Sequence, residues 1–233
     1  MEQPGPKQRS PWLYVLLGCL GFAALSCLGV VAVLGFGVKK ANDMVQGVTD
    51  PTTRNANAKK MLGSIPPGYT VAMSMSFLGM VDTAILTDAI MPEDGGIELG
   101  DHVFTYLRVM ANEQNKASKD FFVKGEGDLD HLRQNNINVD PRDIIKRGNF
   151  TVDGRRLYYV AARGHFGVTT KEAEKGLNAT VMFDCPGEQL HLGVWSMRDP
   201  APDKPASELD LTGTVVDEAE MSKFFKPMDP CGK

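Results

Sequence analysis

The chain has 233 residues, 25 Lys and Arg against 29 Asp and Glu, a formal net charge of −4 and a pI near 5.6. A mildly acidic balance with no recognition motif argues against a nucleic-acid partner. No internal repeat or low-complexity tract is present, which excludes solenoid and tract-based architectures.

The first element is a run without charge between Arg9 and Lys39, and its stretch 12–38 (WLYVLLGCLGFAALSCLGVVAVLGFGV) reads as a transmembrane helix. At about 1.5 Å per residue it would reach roughly 40 Å, enough for a hydrocarbon core of about 30 Å with some tilt. A cleaved signal peptide is the rival, since Lys7 and Arg9 precede the run and Val30, Val31 and Ala32 offer a cleavage point. Secretory apolar cores of about 7 to 15 residues are much shorter. Cys19 and Cys27 lie in loosely lipoprotein-like contexts, yet more apolar residues follow each where a polar tether would begin. The reading is an uncleaved signal anchor: a short cytoplasmic tail at 1–11, the span at 12–38, a juxtamembrane helical linker at 39–64 and a soluble domain at 65–233.

Lys7 and Arg9 on one flank balance Lys39 and Lys40 on the other, so the positive-inside rule does not orient the span. Cys185 and Cys231 orient it instead. An even pair, one on an expected strand and one at the C-terminus, resembles a disulfide clasp made in an oxidising compartment. Two separate buried thiols are the alternative. The protein is thus expected to be single-pass, with its soluble domain extracytoplasmic. Cys19, Ala23 and Cys27 form a small-residue stripe that would suit a homodimer through the span, or simply reflect the usual composition of membrane helices.

Asp50 and Pro51 read as the cap and first position of a helix that ends at Leu62 and Gly63. Ile65, Pro66, Pro67 and Gly68 then open a sheet. Tyr69, Val71, Met73, Met75 and Phe77 alternate with Thr70, Ala72, Ser74 and Ser76, the pattern of a strand with one apolar face. Further strands are expected at 80–87, 102–110, 149–152, 155–162, 177–185 and 190–197. Asp153-Gly154 and Pro186-Gly187-Glu188 supply two turns. Helices fit at 118–122, at 128–134, at 141–146 behind an Asp140 cap, and at 218–225. The last has Asp217 as its cap and Glu220 in a capping-box position. Hairpins dominate, so the fold class is α+β: an antiparallel sheet of about six or seven strands with packed helices, after one N-terminal transmembrane helix.

No nucleophile turn, catalytic-cysteine signature or phosphate-cradling loop appears, so no catalytic residue and no cofactor are assigned. His102, His131, His165 and His191 lack ligand spacing. The loop 125–131 (GEGDLDH) lacks the rest of a calcium pattern, and Met73 and Met75 read as core rather than copper(I) ligands, so no metal is assigned either. Asn149-Phe150-Thr151 and Asn178-Ala179-Thr180 match a glycosylation pattern, but both lie at or beside expected strands, as chance matches would. Asp82, Asp88, Glu93, Asp94, Glu98 and Asp101 make one acidic stretch. Arg142, Lys146, Arg147, Arg155 and Arg156, with Arg163 nearby, make a basic cluster that is the candidate anion contact. Arg142 and Lys146, four apart on an expected helix, would share a face. Such a surface suits lipid headgroups, an acidic polymer or an acidic protein, with a plain solvated face as the alternative. The expected function is an anchored binding or scaffolding domain. Its rivals are a membrane-tethered hydrolase using His102, Asp184 or His191, and a lipid-handling module with an apolar cavity along the Met-bearing strand.

Overall fold

Asp50 accepts the Thr53 amide at 2.7 Å and Pro51 fills the first helical position, so helix α1, Pro51–Leu62, begins where a missing N–H costs nothing. Gly63, at φ +76°, ends it and returns its amide to the Lys59 carbonyl. The structure is a computed structural model that describes residues 50–77, 81–90, 100–110, 113–125, 143–166 and 175–232, all within one compact unit. The expected span, its small-residue stripe, the expected helix at 128–134 and Arg142 lie outside the described residues. No helix among those described is long and apolar enough to cross a membrane.

Among the described residues, seven strands form one antiparallel sheet: β1 (Thr70–Phe77), β2 (Val81–Thr87), β3 (His102–Val109), β4 (Ile144–Val152), β5 (Arg155–His165), β6 (Lys175–Phe183) and β7 (Leu190–Arg198). Two further helices are α2 (Glu113–Lys124) and α3 (Glu218–Phe225). The fold is α+β. Strand order is β1-β2-β3-β7-β6-β5-β4, so β7 returns to lie between β3 and β6. The Asp153-Gly154 turn joins β4 to β5 with positive φ at both residues, 50° and 80°, as a two-residue hairpin of this twist requires.

The sheet buries both faces. On the front, Leu86, Phe104, Tyr159, Phe183 and Trp195 meet Ala58, Met61 and Leu62 of α1 and Met221, Phe224 and Phe225 of α3. Helix α1, read from sequence as part of a linker, therefore contributes to the core. Phe224 stacks on Trp195 at 4.2 Å and Phe225 meets Phe183 edge-on at 5.6 Å. On the back, Val109, Val160, Ala162, Met182 and Leu192 pack beneath Phe121 and Phe122 of α2.

Three local expectations change. Ile144, Ile145 and Lys146 open β4 instead of closing a helix, because Ile144 pairs with Ala162 and Lys146 with Ala161 of β5, with the β-branched Ile145 in a bulge between them. Lys146 thus has no helical face to share with Arg142. A second bulge, between Val71 and Met73, keeps Val71 on the front while Met73 packs on the back with Ala72, Ile85, Val103 and Phe166. Ser74 then donates to the Arg54 carbonyl of α1 at 2.9 Å. Finally, Asp217 caps α3 by accepting the Ala219 and Gly213 amides, both at 2.9 Å, but Glu220 completes no capping box. The Asp217 amide is already bonded to the Thr214 carbonyl, and Glu220 takes Lys223 at 2.6 Å.

Candidate functional site

Beyond α3 the chain runs as a strap, 226–232, whose backbone groups are held by side chains and loops distant in sequence. Ser64 donates to the Pro227 carbonyl at 2.5 Å, and the Asp229 amide donates to the Leu62 carbonyl at 2.6 Å. Gly63 permits that approach, since a Cβ there would stand 3.0 Å from the Asp229 amide nitrogen. The Arg155 guanidinium donates to the Met228 carbonyl and, at 3.3 Å, to the Lys226 carbonyl, with the Asp229 carboxylate 3.5 Å away. Met228 itself is fully buried. A disulfide joins Cys231 to Cys185, just past β6, with Cα atoms 5.1 Å apart. The expected clasp is present.

An open groove of about 750 Å³ lies between this strap, the Asp153-Gly154 turn and the connection after β6. Its walls include Arg155, Arg156, Lys226, Asp184, Pro186 and Cys231. Asp153 and Asp229 also line it, so three cations face three carboxylates and their long-range fields largely cancel.

The candidate anion contacts separate along these lines. Arg155 and Arg156 both reach the groove, Arg155 as the strap's clamp and Arg156 exposed, its neighbour's opposite by strand alternation. The Tyr158 hydroxyl beside Arg156, and then Asp184, favour its charged form. Lys146 instead lies 2.8 Å from Glu218 at the start of α3, and Glu218 also accepts the Tyr159 hydroxyl at 2.5 Å. These bonds push Lys146 up and hold Glu218 below the usual carboxylate range, while burial first and the Glu218 bond second push Tyr159 up to about 12. Arg147 sits 4.2 Å over the Phe121 ring of α2, a cation–π contact on the back face. Arg163 pairs with Asp199 at 2.6 Å.

The three residues named for acid–base work do not converge. His191 is buried, with Nδ1 hydrogen-bonded to the Tyr106 hydroxyl at 2.8 Å, and burial lowers its pKa to about 4. Asp184 is exposed on the groove. His102 pairs with Met197 at the end of β7, whereas His191 pairs with Arg108, six residues further along β3 and so roughly 20 Å away. His102 does have a partner that sequence reading missed: its Nδ1 lies 2.8 Å from one Asp88 oxygen, and its amide donates to the other at 3.0 Å. Among the described residues, no three His, Cys, Asp or Glu side chains gather as a metal site. Lys226 and Asp229 of the groove were also missed, and no local pattern marks them. No protein-family model matches the chain, and no curated protein matches it.

Proposed function

We propose that the chain is a single-pass membrane protein whose extracytoplasmic domain binds a polypeptide partner in the groove beside the Cys185–Cys231 bond. The groove carries the reading. Its walls come from three separate parts of the chain and are fixed by the Arg155 clamp and the disulfide, so little ordering cost remains on binding. Arg156, Asp184 and Lys226 offer both signs of charge around Pro186 and Pro227, which suits an extended peptide better than a uniformly anionic surface. Anchoring rests on the uncharged run 12–38, and the outward location on a disulfide of the kind that persists in oxidising compartments.

The test is selection of a random peptide library on the full chain in nanodiscs, wild type against Arg156→Glu/Lys226→Glu. Arg155 is left alone because it holds the strap. Peptides enriched by the wild type and lost with the variant support the groove. Equal enrichment by both moves the contact elsewhere, and salt-sensitive binding to anionic vesicles without peptide selectivity favours a lipid surface.

A second reading, an anchored hydrolase, is favoured by the Asp88–His102 pair, in which a carboxylate orients an imidazole whose side chain is 32% exposed. Ester hydrolysis by the wild type above that of His102→Gln would support it.

A further inference from the structure

We infer that the Cys185–Cys231 bond is a redox gate, opened by thiol–disulfide exchange at Cys231, which frees the end of the strap without unfolding the domain. The two sulfurs are unequally placed. Cys185 is 7% exposed and belongs to the front core, whereas Cys231 is only partly buried and lines the groove. A thiolate therefore reaches Cys231 first. Its sulfur bonds to Cys231 Sγ, the S–S bond breaks, and Cys185 leaves as a thiolate that takes a proton. The reductant's second thiol then displaces Cys231, which also leaves as a thiol. A protein dithiol supplies both electrons and ends as a disulfide.

What opens is limited by the strap's other attachments. Ser64, Leu62 and Arg155 hold the backbone from Lys226 to Asp229, and none of these bonds involves sulfur. Beyond Asp229 the cross-link is the only covalent hold, and the one backbone hydrogen bond described there, from the Gly232 amide to the Asp229 carbonyl at 3.3 Å, is internal to the strap. Reduction should thus free Cys231 and Gly232 while Pro230, which is buried, and α3, whose Phe224 and Phe225 are buried, stay in place. Cys231 and Gly232 wall the groove, so its width changes with redox state. That consequence rests on the proposed binding reading; the exchange does not.

The experiment exposes the folded full chain in detergent micelles to oxidised and reduced glutathione, followed by peptide mapping, and separately to dithiothreitol, followed by hydrogen exchange. The expected result is a glutathione adduct on Cys231 at least tenfold over Cys185. Exchange after reduction should rise at least tenfold at 231–232, with α3 still protected. Resistance to reduction until denaturant is added, an adduct chiefly on Cys185, or loss of protection throughout α3 would each overturn the gate. Exchange at Cys231 as described, with no peptide selected by either redox form, would retain the gate and overturn the binding reading alone.

Discussion

The Tyr106 hydroxyl and Nδ1 of His191 meet at 2.8 Å across the β3–β7 ladder, in a place where Tyr106 is 1% exposed and His191 4%. Burial lowers the His191 pKa to about 4, with Arg108 and Lys119 adding to the effect and Asp82 opposing it. The unfolded chain therefore binds the proton first, near pH 6.5, and the fold loses stability as pH falls from there toward 4. The loss approaches about 3 kcal/mol at the low end. Carboxylates held low, such as Asp217 and Glu218, lose their contribution only as pH falls below about 4 and through their still lower folded values. Urea midpoints at several pH values between 4 and 7 should show the steep slope in the wild type and a flatter one in His191→Gln. Equal slopes would assign the effect to another group.

Adjacent arginines should differ sharply. Arg155→Met removes the donors to the Met228 and Lys226 carbonyls and is expected to cost about 2 to 3 kcal/mol. Arg156→Met, on an exposed side chain, should stay within about 0.5 kcal/mol. Denaturant unfolding with the disulfide intact measures both. Similar losses would mean that the clamp contributes nothing particular to Arg155.

At the alkaline end the sign reverses. Tyr69 and Tyr159 are both pushed up to about 12, chiefly by burial, so the unfolded chain gives up these protons first. Stability should fall as pH rises from about 10 toward 12. Tyr159→Phe, which also frees Glu218 from one bond, should reduce that slope by about one proton. An unchanged slope would show that Tyr159 ionises alike in both states.

Two glycines are required for different reasons, and alanine separates them. A Cβ on Gly193 would stand 2.6 Å from Phe104 Cε2 and 2.8 Å from Cζ, inside a ring that is 0% exposed. Gly193→Ala should cost about 1 to 3 kcal/mol by overpacking. Gly154→Ala meets nothing within 4 Å, and its cost of about 1 kcal/mol comes from φ +80° alone. Crystal structures of the two variants would show a displaced Phe104 in the first and an unmoved neighbourhood in the second.

What could be read from sequence was what short-range chemistry decides. Asp50-Pro51, Asp153-Gly154 and the Tyr69 to Phe77 alternation each announce themselves within a few residues, and each element lies where they place it. The Asp140-Pro141 signal pointed to a helix, but pairing of Ile144 and Lys146 with β5 overrode it. The groove was illegible because its clamp joins residues 73 apart, although its cross-link was legible in the even pair of cysteines. For the same reason Arg155 looked like one more surface cation. His191 looked no different from the other histidines, since its burial depends on β7 lying beside β3.

That placement of β7 also orders events in time. The strands β1–β3 and β4–β6 are two ribbons, and the strand that joins them is the last to leave the ribosome. Until Leu190–Arg198 emerges, β3 and β6 each present a bare inner edge, open to pairing with the same edge of another nascent chain. Pairing of β7 with β3 and β6 removes both inner edges at once and leaves only β1 and β4 as the edges of the finished sheet.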